Sequence, residues 1–177
     1  MFLHHFKKKE TEDKKIAELV YQKIIDNVNL IISSNSKVLK KDFNTSFELT
    51  SIFLISIFFG AKFKKNKDNF LILQEIMNLF TEDLDYSLRL YGIGDMSIGK
   101  HVKFYLKKFY FRISKYEKIF ENLDKDNFIS FIKELKIFHN SSNKKLVIEF
   151  LYEVSNKLIK ESKNSSINID FLSSLHI

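Results

Sequence analysis

The chain has no cysteine, no proline and no tryptophan, and only four glycines among its 177 residues. Without cysteine there is no disulfide framework, no thiol nucleophile and no thiolate zinc site. A chain of this length needs no such staples, because it buries roughly 70% of the surface its unfolded form exposes, and it reads as one domain. The gaps accompany a surplus of 19 Phe with abundant Lys, Asn and Ile, residues drawn from AT-rich codons. The net charge of +7 is therefore weak evidence for a nucleic-acid partner, although a basic surface suits RNA, a ribosome or anionic lipid.

Other absences narrow the function. There is no HExxH pair, and His101, His139 and His176 are scattered without carboxylates at ligand spacing, so no metal is expected. There is no G-x-S-x-G elbow. Gly94–His101, GDMSIGKH, comes close to the phosphate-loop pattern GxxxxGK[ST]. His101, however, stands where a hydroxyl must hold magnesium, and the segment follows a helix instead of a strand. No catalytic residue and no cofactor is expected, and nothing supports an enzyme. His4 and His5 read as part of a solvated end. The first residues, MFLHHFKKKETEDKK, are too poor in apolar groups for a signal peptide, and Glu10, Glu12 and Asp13 argue against a transit peptide. The expectation is a cytoplasmic protein, at most peripheral on the cytoplasmic face of the inner membrane.

What is present is helical periodicity, with no internal repeat and no period-2 run that demands a strand. Residues 1–13 are expected as a flexible N-terminus, 14–161 as one helical domain, and 162–177 as a polar, partly disordered tail in which Phe171, Leu172 and Leu175 could dock. Ile16, Leu19, Val20, Ile24 and Val28 mark a first helix over 14–33, and residues 37–44 have no clear period. FELTSIFLISIFFGAKF, residues 47–63, is the most apolar stretch. Its uninterrupted part, Ile52 to Ala61, is about half of the roughly 20 residues a membrane span needs, and Lys62 and Lys64 close it. It is expected as a buried central helix, not a transmembrane segment. A polar connector at 64–69 leads to a helix over 70–91 with Leu73, Ile76, Met77, Phe80, Leu84, Leu88 and Tyr91 on its buried stripe.

Ser97 to Phe120 is the clearest amphipathic helix. Val102, Leu106, Phe109, Ile113, Tyr116 and Phe120 fall on one face, and Lys100, Lys103, Lys107, Lys108, Arg112, Lys115 and Lys118 around the other. A shorter helix over 127–138 has Asp124 or Asp126 as its cap. Asn140–Asn143 breaks the chain, and 144–161 resumes with Leu146, Phe150, Val154 and Leu158. The fold class expected is all-α, a single bundle of about six helices around a buried hydrophobic central helix.

The densest stretch is Leu79 to Lys103, LFTEDLDYSLRLYGIGDMSIGKHVK. Asp85 and Arg89 stand at i and i+4 and can pair on a helix surface. Asp83 and Asp85, two apart, do not face each other, which argues against a catalytic dyad. Gly92 follows the last apolar position, where a left-handed cap wants no Cβ, and Asp95 or Ser97 can cap the next helix. The pattern DLDxxLRxxGIGDxSIxKxxK resembles the signature of the ubiquinol–cytochrome c chaperone family, at Asp83, Asp85, Leu88, Arg89, Gly92, Gly94, Asp95, Lys100 and Lys103. The likeness extends to Phe109–Arg112, where Phe111 replaces the usual glycine, and to Phe47-Glu48-Leu49.

The resemblance implies a non-enzymatic assembly chaperone that binds newly made cytochrome b and promotes assembly of the ubiquinol–cytochrome c reductase (bc1) complex. The ribosome, a small partner protein and peripheral contact with the membrane are further partners left open. The contact residues expected for that role are Asp83, Asp85, Arg89, Asp95, Lys100, Lys103, Lys107 and Arg112, with Gly92 and Gly94 holding the corner. The alternative, carried by lysine content alone, is a ribosome- or RNA-binding module using the basic helix 97–120.

Overall fold

Helices dominate the computed structural model, which describes residues 2–62, 67–122, 124–139, 144–164 and 167. Among the described residues six helices run in order: α1 Phe2–Ser34, α2 Phe43–Lys62, α3 Lys67–Leu90, α4 Asp95–Asn122, α5 Lys125–Glu134 and α6 Lys144–Asn164. Among the described residues the nearest thing to a sheet is one isolated antiparallel bridge, Leu39 to Phe138. The all-α bundle expected from periodicity is the fold observed. The side chains of His4 and His5, residues 64–66 of the expected 64–69 connector, the Asn140–Asn143 break and the docking residues Phe171, Leu172 and Leu175 lie outside the described residues. The rest of that connector, 67–69, is already the first turn of α3.

The apolar stretch is the middle of the molecule. α2 contacts α1, α3, α4 and α6, and it is buried all round, from Thr45 through Ala61, with only Ser46 and Phe58 half-exposed along that run. Among the described residues it is the one helix long and apolar enough to cross a membrane, yet 78% of its apolar window is buried inside the fold. It starts earlier than the apolar run. Asp42 caps it, its Oδ1 accepting from the Thr45 backbone N–H and hydroxyl, both at 2.8 Å. Gly60 permits the close approach of α6, because a Cβ there would stand 2.5 Å from the Ile159 carbonyl oxygen and closer still to Ser162 Cβ.

Several boundaries and faces differ from the periodic reading. α1 already begins at Phe2; the Lys- and Glu-rich lead-in to residue 14 has no helix breaker to stop it. Its buried stripe is Ala17, Val20, Tyr21, Ile24, Val28 and Ile31, while Leu19 is half-exposed. α5 stops at Glu134, short of residue 138. Lys136 takes a positive φ of 57°, and the chain then turns to lace residues 38–40 to 136–139. Lys40 N–H donates to the Ile137 carbonyl at 2.9 Å, and His139 N–H to that of Val38 at 2.8 Å. Asp124 is the cap of α5, accepting from the Asp126 and Asn127 N–H groups at 3.1 Å each. Leu146, one turn into α6, is exposed, and the stripe of that helix starts at Val147 and Ile148.

Candidate functional site

α3 ends at the residues where a glycine cap was expected. Gly92 has φ +85°, its N–H donates to the Arg89 carbonyl at 2.9 Å, and the Ile93 N–H donates to the Leu88 carbonyl at 3.2 Å. These paired bonds are the Schellman closure, which needs the left-handed conformation that glycine adopts without a Cβ penalty. α4 then starts at Asp95, so the residue before it, Gly94, is the N-cap. The Gly94 carbonyl accepts from the Ser97 and Ile98 N–H groups at 3.0 and 3.1 Å. The expectation that Asp95 or Ser97 caps the helix is therefore corrected. Asp95 occupies the first helical position, and the Ser97 hydroxyl merely donates back to Gly94 O at 3.1 Å.

The Asp95 carboxylate serves another partner. Arg89 lies between two acids, donating to Asp85 Oδ2 from Nε at 2.5 Å and to Asp95 Oδ1 from Nη1. The hydrogen bonds it donates to both carboxylates, Asp85 first, raise the guanidinium pKa above its ordinary value. The three side chains clasp the corner from outside and are largely in solvent. Asp83 points elsewhere. It is half-buried and accepts from the Tyr21 hydroxyl of α1 at 2.8 Å; burial first, then the Asp83 charge, pushes the Tyr21 pKa up. Asp83 and Asp85 thus face different neighbours, as their spacing requires. Tyr91 is exposed, not on the buried stripe, and sets its ring edge-on to Phe43 at 5.3 Å between centroids.

The basic face of α4 is narrower than its lysines suggest. Lys108 and Arg112 turn toward α2 and meet Glu48, which is 1% exposed, at 2.8 and 2.5 Å. Lys108 also donates to Asn44 Oδ1 at 3.0 Å and lies over the Phe47 ring. A carboxylate inside the most apolar stretch of the sequence was the signal to expect such partners, since a buried charge is tolerated only when paired. Lys115 pairs with Glu134, which also accepts from the Tyr116 hydroxyl at 2.5 Å; that bond first, then Lys115, holds the Glu134 carboxyl below its usual range. Lys100, Lys103 and Lys107 stay exposed. Of the expected contact residues, Asp85, Arg89, Asp95, Lys100, Lys103 and Lys107 are gathered on the outside of the α3–α4 hairpin, whereas Asp83 and Arg112 are turned inward.

Between those helices runs an open groove of about 520 Å³, lined by Thr81, Glu82 and Asp85 of α3 and by Gly99, Val102, Lys103, Leu106, Lys107 and Tyr110 of α4. Its floor is apolar and its rim carries both signs of charge; of the Asp85–Arg89–Asp95 clasp, Asp85 lines it. Gly94–His101 forms the cap and first turns of α4, so it presents helix where a phosphate loop would have to curl. The arrangement suits binding of an apolar segment with polar flanks.

The model of the family described as ubiquinol-cytochrome C chaperone matches residues 35–135, which contain α2 to α5 and the whole groove. The chain belongs to this family. Membership carries the coarse role with it: a chaperone for assembly of ubiquinol–cytochrome c reductase, the bc1 complex. A solved structure, the Cbp3 homolog from Brucella abortus, superposes with a TM-score of 0.71 at 20% identity, covering 96% of this chain and 98% of that one. At that identity the likeness is one of fold, and it extends past the family-model match into α1 and α6. Comparison with curated proteins gave no match.

Proposed function

We propose that this chaperone acts by binding and not by catalysis, and that its client is newly made cytochrome b. The observation that carries the reading is the apolar groove between α3 and α4, which lies on the family signature itself and is bordered by Asp85, Lys103 and Lys107. An apolar floor with a charged rim shields a short hydrophobic segment while leaving its polar ends in water. Gly92 and Gly94 set the corner, and Arg89 holds Asp85, on the groove's α3 wall, to Asp95 at the start of α4.

The test uses a photo-crosslinking residue in place of Val102, on the groove floor, and a second in place of Lys145, exposed on α6. Crosslinks from position 102 to cytochrome b during its synthesis, absent from position 145, are the expected result. Deletion of the gene should then remove the b- and c-type haem signals of the bc1 complex and its ubiquinol–cytochrome c reductase activity, leaving other respiratory complexes intact. Normal bc1 levels, or equal crosslinking from both positions, would overturn the client assignment.

A further inference from the structure

The side of α4 that faces away from the bundle carries a second surface, which shares Lys103, Lys107 and Tyr110 with the wall of the groove. At 100° per residue, Met96, Lys100, Lys103, Phe104, Lys107, Tyr110, Phe111, Ser114 and Lys118 fall within one arc of the helix, opposite the buried Phe109, Tyr116 and Phe120. Its apolar members are not tucked in. Met96 is fully exposed, and Phe104, Tyr110 and Phe111 are 59%, 57% and 63% exposed. Between Met96 and Lys118 this arc holds no carboxylate. The acids nearby are engaged elsewhere: Glu117 and Glu121 with Lys62 at 2.6 and 3.2 Å, and Asp85 with Arg89. Glu82, on the α3 wall of the groove, marks the edge of the surface. Lys100, Lys103, Lys107 and Lys118 make no ion pair among the described residues.

We propose that this face of α4 seats the protein on an anionic lipid surface, with the helix lying in the plane of the headgroups. Exposed aromatics alternating with lysines along one helix face are the pattern of an interfacial helix. The rings enter the acyl boundary, and the ammonium groups meet lipid phosphates. The same face could in principle meet RNA, but the disposition of the arginines favours lipid. Stacking on bases and forked phosphate recognition belong to guanidinium groups, and both arginines of the chain are spent, Arg89 on Asp85 and Asp95, Arg112 on Glu48. What remains outside is a row of lysine point charges, which a lipid surface accepts without directional demands. The placement would put the α3–α4 groove at the membrane surface. It rests on the α4 side chains alone and not on the identity of the client.

The experiment is flotation of the full chain with vesicles of phosphatidylcholine alone and of equal parts phosphatidylcholine and phosphatidylglycerol. Binding is expected only with phosphatidylglycerol. It should weaken with added salt and fall by roughly tenfold or more in Lys103→Glu/Lys107→Glu. Phe111→Ser, which alters no charge, should weaken it as well. All these positions are exposed, so thermal unfolding should match the parent and serves as the control for folding. No flotation, or equal flotation with neutral vesicles, would overturn the proposal. So would tight, salt-sensitive binding of a single-stranded RNA that the same variants abolish while vesicles are ignored.

Discussion

The two arginines of this chain are both fastened to carboxylates, in opposite surroundings. Arg112 is 13% exposed and meets Glu48, which is 1% exposed, between α4 and the central helix. Arg89 is 43% exposed and clasps Asp85 and Asp95, the latter 85% exposed, around the α3–α4 corner. The chemistry is the same, but its energetic meaning is not. Breaking a buried pair strands a charge away from water, whereas exposed pairs contribute little to stability and exchange partners readily. The inner network fixes where α4 lies on α2. The outer one shapes a surface whose contacts can be given up to a partner without loosening the fold.

The largest effect should come from the inner network. Arg112→Ala leaves Glu48 buried with Lys108 as its remaining cation and should cost about 3 kcal/mol in urea unfolding. The double variant Glu48→Leu/Arg112→Met, which removes both charges and keeps the volume, should recover most of that loss. If Arg112→Ala unfolds at the parent's denaturant concentration, the contrast between inner and outer arginines collapses.

That contrast was only half legible in the sequence. The i,i+4 spacing gave Asp85–Arg89, and the position of Gly92 after an apolar stripe gave the corner, because both are local rules of helix geometry. Helix existence and the buried status of α2 followed from period and composition for the same reason. Counting Arg112 with the lysines puts it on the solvent face, although at 100° per residue it lies about 40° from the buried Tyr116 and about 180° from Lys103. Its partner lies 64 residues away in sequence, and no periodicity reports on such a pairing. Glu48 within an apolar helix was the one clue. Asp83 was likewise invisible as a bond to Tyr21, 62 residues away. Asp95 was misplaced for a subtler reason: its residue type suits an N-cap, but Gly94, with its carbonyl already turned toward the helix, took that position first.

Two intermediate effects test the corner between those extremes. Gly92→Ala meets no atom within 4 Å, so its cost is conformational alone: a φ of +85° in a residue with a Cβ. It should destabilise by about 1–2 kcal/mol, with no loss of helix by circular dichroism; an unchanged melting temperature would mean the turn relaxes to another closure. Tyr21→Phe removes the hydroxyl that Asp83 accepts and should cost about 1 kcal/mol at neutral pH. Its pH signature has a definite sign. Burial and Asp83 raise the folded pKa above the ordinary value of 10.0, so the unfolded chain releases its proton first. Stability is whole below about pH 10 and falls as pH rises beyond it. Tyr21→Phe should make that alkaline decline shallower, and an equally steep decline would place its source in other tyrosines.

The smallest effect on stability should be at Asp95. It is the outermost member of the clasp, it is not the cap, and Arg89 retains Asp85 when it is gone. Asp95→Ala is therefore expected to leave the melting temperature nearly unchanged, because Gly94 O still accepts the Ser97 and Ile98 N–H groups. Crosslinking from the groove floor to the client should nonetheless fall, since the tie that Arg89 makes from α3 to the first turn of α4 would be lost. Thermal unfolding and the position-102 crosslink, measured on the same preparation, separate the two properties. A marked drop in melting temperature would make the clasp part of the scaffold, like Glu48 and Arg112. Crosslinking at the parent level with stability intact would remove Asp95 from the site and leave the groove to be defined by Asp85, Lys103 and Lys107.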